Sequence, residues 1–149
     1  LSAAWLADRI GRRWVMFSYG MIGAVGLLIS AGSVMLATSA GWSTTGAGWI
    51  FFGGIVIAMA FGDGAFGVLN PFGAEQFPNE ARATGLGLGY GIGSSAKVFG
   101  PALLGAMFGP QVELESIPVA FLLFAALLAM GGVTYLFAKE TKGESLDSI

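Results

Sequence analysis

The chain has 149 residues, 55% of them hydrophobic and 11% charged, with a formal net charge of −2. A soluble domain carries roughly 25% charged residues, so this composition excludes an ordinary soluble globule and points to an all-α, polytopic membrane protein. There is no cysteine and no histidine, which excludes disulfides, thiolate metal sites, cysteine nucleophiles and imidazole acid–base chemistry; no basic patch suggests a nucleic-acid partner.

The first residues, LSAAWLA, have the character of an apolar helix that begins upstream, and the chain is expected to be part of a longer protein. Arg12-Arg13 before Trp14 is better explained as charge flanking a span than as a twin-arginine signal. From Trp14 to Gly62 no charged residue occurs. A membrane helix needs about 20 apolar residues, so this stretch holds two spans or most of them. Four spans are predicted along the chain, at about 14–36, 49–72, 84–108 and 117–138, with a cytoplasmic tail at 139–149. The links between them are short, as between neighbouring antiparallel helices.

Basic residues set the orientation. Arg9, Arg12 and Arg13 precede the first span, Arg82 lies between the second and third, and Lys139 and Lys142 follow the fourth. The other two links hold no Lys or Arg. The positive-inside rule then places both ends and the middle link in the cytoplasm of a plasma or inner membrane. Trp14 falls at the inner interface, and Trp42 and Trp49 at the outer one.

The second span carries Asp63 within MAFGDGAFGVLNPF. Gly62, Gly64 and Gly67 fit the G-x-G-x-x-G pattern of a dinucleotide loop, but that loop needs a preceding strand and cannot face lipid as bare backbone. A buried acid is the better reading. On a helix Asp63, Gly67 and Asn70 share one face, and Pro71 is expected to kink or loosen it. The third span carries Gly85, Gly89 and Gly93 at i+4 spacing, with Gly87, Gly91 and Ser95 beside them, which predicts close packing on two sides. Lys97 continues the first stripe. Counted from the link they share, Asp63 and Lys97 differ in depth by only ~5 Å. A charge at such depth costs at least about 2.5 kcal/mol. Asp63 and Lys97 therefore form a substrate or proton site, a static brace between two helices, or a pair of water-solvated charges.

Residues 4–13, AWLADRIGRR, resemble the cytoplasmic loop motif G-x-x-x-D-R-x-G-R-R of the major facilitator superfamily, with Asp8, Arg9, Gly11, Arg12 and Arg13 matching and Ala4 in place of the first glycine. Glu75-Gln76-Phe77-Pro78 with Arg82 and Gly85 resembles the E-x-F-P…R-x-x-G signature of its sugar-porter and metabolite:proton symporter branches. Glu140-Thr141-Lys142-Gly143 with Ser145-Leu146 resembles their P-E-T-K-G-x-S-L ending, with Lys139 in place of proline. The resemblance implies helices nine to twelve of a twelve-helix transporter, the stub of helix eight, and an N-terminal half of the same protein as partner. It implies alternating access for a small organic solute, with Asp8, Arg9, Arg12, Arg13, Glu75 and Arg82 as conformational gating residues and Asp63, Lys97 and Asn70 as the substrate or proton-coupling set. No catalytic residues, metal or cofactor are expected, the driving force being a proton gradient. The expected cargo is an organic acid or similar metabolite, the alternative a sugar or polyol. A channel or a structural membrane subunit are the alternatives from other classes. An intramembrane enzyme is disfavoured, because Ser95 and Lys97, two apart on a helix, point away from each other.

Overall fold

The computed structural model describes residues 2–109 and 113–140. Helices α1 (Ser2–Ile10), α2 (Arg12–Ser39), α3 (Thr44–Gly62), α4 (Phe66–Glu75), α5 (Arg82–Phe108) and α6 (Ile117–Thr134) account for most of them. Single 3-10 turns at Asp63–Ala65, Leu114–Ser116 and Tyr135–Phe137 join or extend these helices. The fold is all-α, with no strand among the described residues.

Three segments are long and apolar enough to cross a membrane: Arg12–Ser39, Thr44–Glu75 and Leu114–Phe137. The segment expected as the third span forms α5. Its 27 residues reach about 40 Å at 1.5 Å per residue, but its glycines and Lys97 leave it less apolar than the other three.

Gly11 separates α1 from α2. Its φ of 109° lies where a side chain is strained, and the chain turns there without losing the bond from Gly11 N–H to the Ala7 carbonyl at 3.0 Å. Helix α2 is the centre of the bundle, packing on α3 and on α6. Lipid tails are as apolar as leucine, so membrane helices associate through close packing and interhelical hydrogen bonds. Both are present. A Cβ on Gly20 would lie 3.0 Å from Gly132 Cα of α6, and one on Gly26 would lie 2.6 Å from the Gly54 carbonyl oxygen of α3. Ser30, 0% exposed, donates its hydroxyl to the Phe51 carbonyl of α3 at 2.9 Å. Ser43 caps α3, accepting from Gly46 N–H at 3.1 Å. At the opposite end of the bundle a hydrophobic core joins α1, α2 and α4 through Ala3, Ala7, Val15, Met16, Tyr19, Val68 and Phe72.

Two local expectations change. The span Thr44–Glu75 is interrupted at Asp63–Ala65 and not at Pro71, which sits inside α4. The interruption begins at Asp63, flanked by Gly62 and Gly64, where poor helix formers meet and the backbone tightens to 3-10 geometry. A cavity of about 180 Å³ lies beside it, lined in part by Gly20, Gly62 and Gly132. The glycines of α5 are not tightly packed on two sides. Helix α5 buries no residue and packs chiefly on α4. Near its start, a Cβ on Gly85 would meet the Phe77 ring at 2.7 Å, but at Gly87, Gly89, Gly91 and Gly93 nothing lies within 4 Å. Among the described residues, no second helix reaches the face that these glycines clear.

Candidate functional site

Two groups of residues carry the chemistry, one at the motif-bearing end of the bundle and one between α4 and α5.

At the motif end, the loop after α1, the end of α4 and the segment after α6 converge. The Arg12 guanidinium pairs with the Glu75 carboxylate, and Glu75 is only 6% exposed. Arg12 N–H, in the first turn of α2, donates to Glu140 Oε1 at 3.0 Å, so a carboxylate sits where the helix dipole favours negative charge. Gly11 leaves room for it: a Cβ there would lie 2.7 Å from Glu140 Oε2. Arg13 donates to the Leu136 carbonyl at 3.4 Å, Gln76 to the Lys139 carbonyl at 2.9 Å, and Arg82 to the Ala74 carbonyl at 2.8 Å. Carbonyls near helix ends lack intrahelical donors, and these cations and amides supply them. Arg9 stacks its guanidinium over Trp5 at 4.1 Å from the ring centroid. Asp8 is exposed and makes no ion pair among the described residues.

The grouping differs in part from the sequence-based one. Arg12, Glu75 and Glu140 come together, whereas Arg82 engages a backbone carbonyl of α4 and not the Glu75 carboxylate. Glu140 was not singled out from sequence as a partner of Arg12. Its place in the E-T-K-G run was the available signal. Lys142 and the rest of the tail from 141 onward lie outside the described residues.

Between α4 and α5 lies a cavity of about 390 Å³. Asn70 and Lys97 both line it, with Phe66, Tyr90, Ser94 and Tyr135 among their neighbours. Gly89 and Gly93 form part of its α5 wall. Asp63 does not line it. That residue is exposed at the start of the 3-10 turn and makes no ion pair with Lys97 among the described residues. On this stretch the cavity lining starts at Phe66, just past the 3-10 turn that carries Asp63, so Asn70 reaches the cavity and Asp63 does not. Tyr90 was missed from sequence, although it precedes Lys97 by two helical turns and so lies on the same face.

A family model described as "Sugar (and other) transporter" matches residues 1–149. The chain belongs to this transporter family. A protein of Bacillus subtilis (strain 168), provisionally named a niacin/nicotinamide transporter, is 33% identical over 98% of this chain and 33% of its own length. The niacin transporter of Acinetobacter baylyi is 30% identical over 100% of this chain and 31% of its own length. Myo-inositol transporter 2 of Schizosaccharomyces pombe is 29% identical over 95% of this chain and 25% of its own length. The chain thus spans about a third of the length of the first two relatives. No solved structure is significantly similar to it. As a sugar-transporter-family chain with long apolar helices it is an integral membrane protein, and the family and these relatives bear the names of transporters, not enzymes.

Proposed function

We propose that the chain forms the last four spans, α2, α3–α4, α5 and α6, of a twelve-helix carrier that moves a small organic acid across the plasma or inner membrane by alternating access. The N-terminal half of the same protein faces the α4–α5 cavity and completes the solute site. The motif-bearing end, with both ends of this chain, lies in the cytoplasm. The observation that carries the reading is the placing of Lys97 and Asn70 on one cavity beside a helix interruption. An intramembrane cation and amide are expensive in lipid and suit a water-filled solute path. The niacin-transporter names of two relatives favour an organic acid. The inositol-transporter name of a third keeps a polyol carrier as the second reading.

Asp63 is the proton-coupling residue in this proposal. It stands at the break between α3 and α4, where protonation removes a charge from a hinge that changes shape between access states. The Arg12–Glu75 pair and the Glu140 contact act as a cytoplasmic latch, closed here and opened when the solute is released inward. In proteoliposomes of the full-length carrier, Asp63→Asn is expected to abolish uphill uptake driven by an imposed proton gradient while solute exchange continues. The amide still accepts and donates hydrogen bonds but takes up no proton. Uphill uptake at the unaltered rate in Asp63→Asn would remove Asp63 from coupling.

A further inference from the structure

The lining of the α4–α5 cavity narrows the solute class, an inference that rests on taking this cavity as the transport site. Lys97 is the one charged side chain on it among the described residues, and no carboxylate there balances it. A lone ammonium on the cavity wall attracts an anion, and a single negative charge matches it. Four aromatic side chains, Phe66, Phe77, Tyr90 and Tyr135, share the lining, whereas the polar groups beyond Lys97 are one amide, Asn70, and the hydroxyls of Tyr90, Ser94 and Tyr135. A sugar or inositol brings about five or six hydroxyls, and each one left without a partner costs roughly 1–3 kcal/mol. The wall that this chain supplies offers few acceptors and no carboxylate to match them.

Shape points the same way. Gly89 and Gly93 present bare backbone on the α5 side, with nothing within 4 Å of where their Cβ atoms would stand. These two glycines leave a smooth strip on α5 among its Tyr90, Ser94 and Lys97 side chains, and Phe66 lines the α4 side, which suits a flat ring. The volume, about 390 Å³, lies near the low end of the ~300–1,000 Å³ typical of small-molecule sites. From charge, lining and shape together we infer that the cavity takes a single-ring aromatic monocarboxylate. Lys97 holds the carboxylate by a charge-assisted hydrogen bond. Tyr90 and Phe66 contact the ring, and Asn70 serves a ring heteroatom or substituent.

Binding to the purified full-length protein at neutral pH tests this with defined probes: benzoate, nicotinate, benzamide, cyclohexanecarboxylate and myo-inositol. Benzoate and nicotinate are expected to bind at least tenfold more tightly than benzamide, which lacks the charge, and than cyclohexanecarboxylate, which lacks the flat ring. Lys97→Met should weaken benzoate at least tenfold and leave benzamide unchanged, with Lys97→Arg retaining most of the affinity. Tyr90→Ala should erase the preference for benzoate over cyclohexanecarboxylate. The thermal transition of each variant without ligand separates lost binding from lost folding; Lys97→Arg and Tyr90→Ala keep the test open should Lys97→Met not fold. Equal affinity for benzoate and benzamide, equal affinity for benzoate and cyclohexanecarboxylate, or binding of myo-inositol alone would overturn the inference while leaving a transporter. Tight benzoate binding without uptake of any solute would instead count against the transport reading.

Discussion

Gly54→Leu in the full-length protein is expected to leave little or no monodisperse carrier after detergent extraction, whereas Gly53→Leu next to it is expected to be silent. A Cβ on Gly54 would collide with the Ser30 hydroxyl, the Gly26 carbonyl oxygen and the Ser30 amide nitrogen of α2, whereas one on Gly53 meets nothing within 4 Å. Leucine adds three carbons beyond that Cβ. Helices α2 and α3 must then separate, and the fully buried Ser30 loses its bond to the Phe51 carbonyl. Overpacking costs about 1–3 kcal/mol, and a buried hydroxyl left unpaired costs about 1–3 kcal/mol more. Together these are a large share of a stability of about 5–15 kcal/mol. Fluorescence-detected size-exclusion chromatography of the two variants reads the difference directly. Equal, wild-type-like peaks from both would mean that α2 and α3 do not cross at Gly26 and Gly54.

Arg12→Met and Glu75→Gln should each lower the thermal transition, Arg12→Met by more. The pair links the start of α2 to the end of α4 across the motif-bearing end. Removing Arg12 strips a nearly buried carboxylate of its guanidinium, a change worth on the order of 3–5 kcal/mol when a buried pair is broken from one side. The double variant Arg12→Met, Glu75→Gln is expected to regain most of that stability, because a neutral pair no longer strands a charge. Transport separates a brace from a latch. A latch predicts that the stability returns but uptake does not, since the balance between access states is altered. Full recovery of both would make the pair a brace.

The architecture was largely legible in the sequence because two strong signals coincide in it. Long uncharged runs define membrane helices by length alone, and three sequence motifs in order define the family resemblance. The motif-end cluster was half legible. Arg12 and Glu75 stand in recognisable motifs, but their pairing joins α2 to α4, and no spacing rule reports contacts between helices so far apart in sequence. Asp63 shows a different limit. Helical spacing says where it lies around an unbroken helix, and carries no sign of the 3-10 break between Gly62 and Phe66. The α5 glycines show a third. Small residues at i+4 spacing suit close helix packing and a smooth cavity wall equally well, and only the position of the neighbouring helix separates the two. At Gly26 and Gly54 the neighbour is present; at Gly89 and Gly93 nothing among the described residues lies within 4 Å.

Cysteine accessibility along α5 tests most directly whether that helix lines an aqueous solute path. The chain has no native cysteine, so single substitutions can be placed in a full-length carrier otherwise freed of cysteine. Gly93 lines the cavity, whereas Ile92 does not and is 73% exposed on the outside of the bundle. In membranes, Gly93→Cys should react with a small, charged, membrane-impermeant thiol reagent, and saturating benzoate or nicotinate should slow that reaction several-fold. Ile92→Cys should react only with a lipid-soluble maleimide and show no protection. An inert Gly93→Cys, or one labelled at the same rate as Ile92→Cys with and without the carboxylate, would place this face of α5 in lipid and contradict a solute site between α4 and α5.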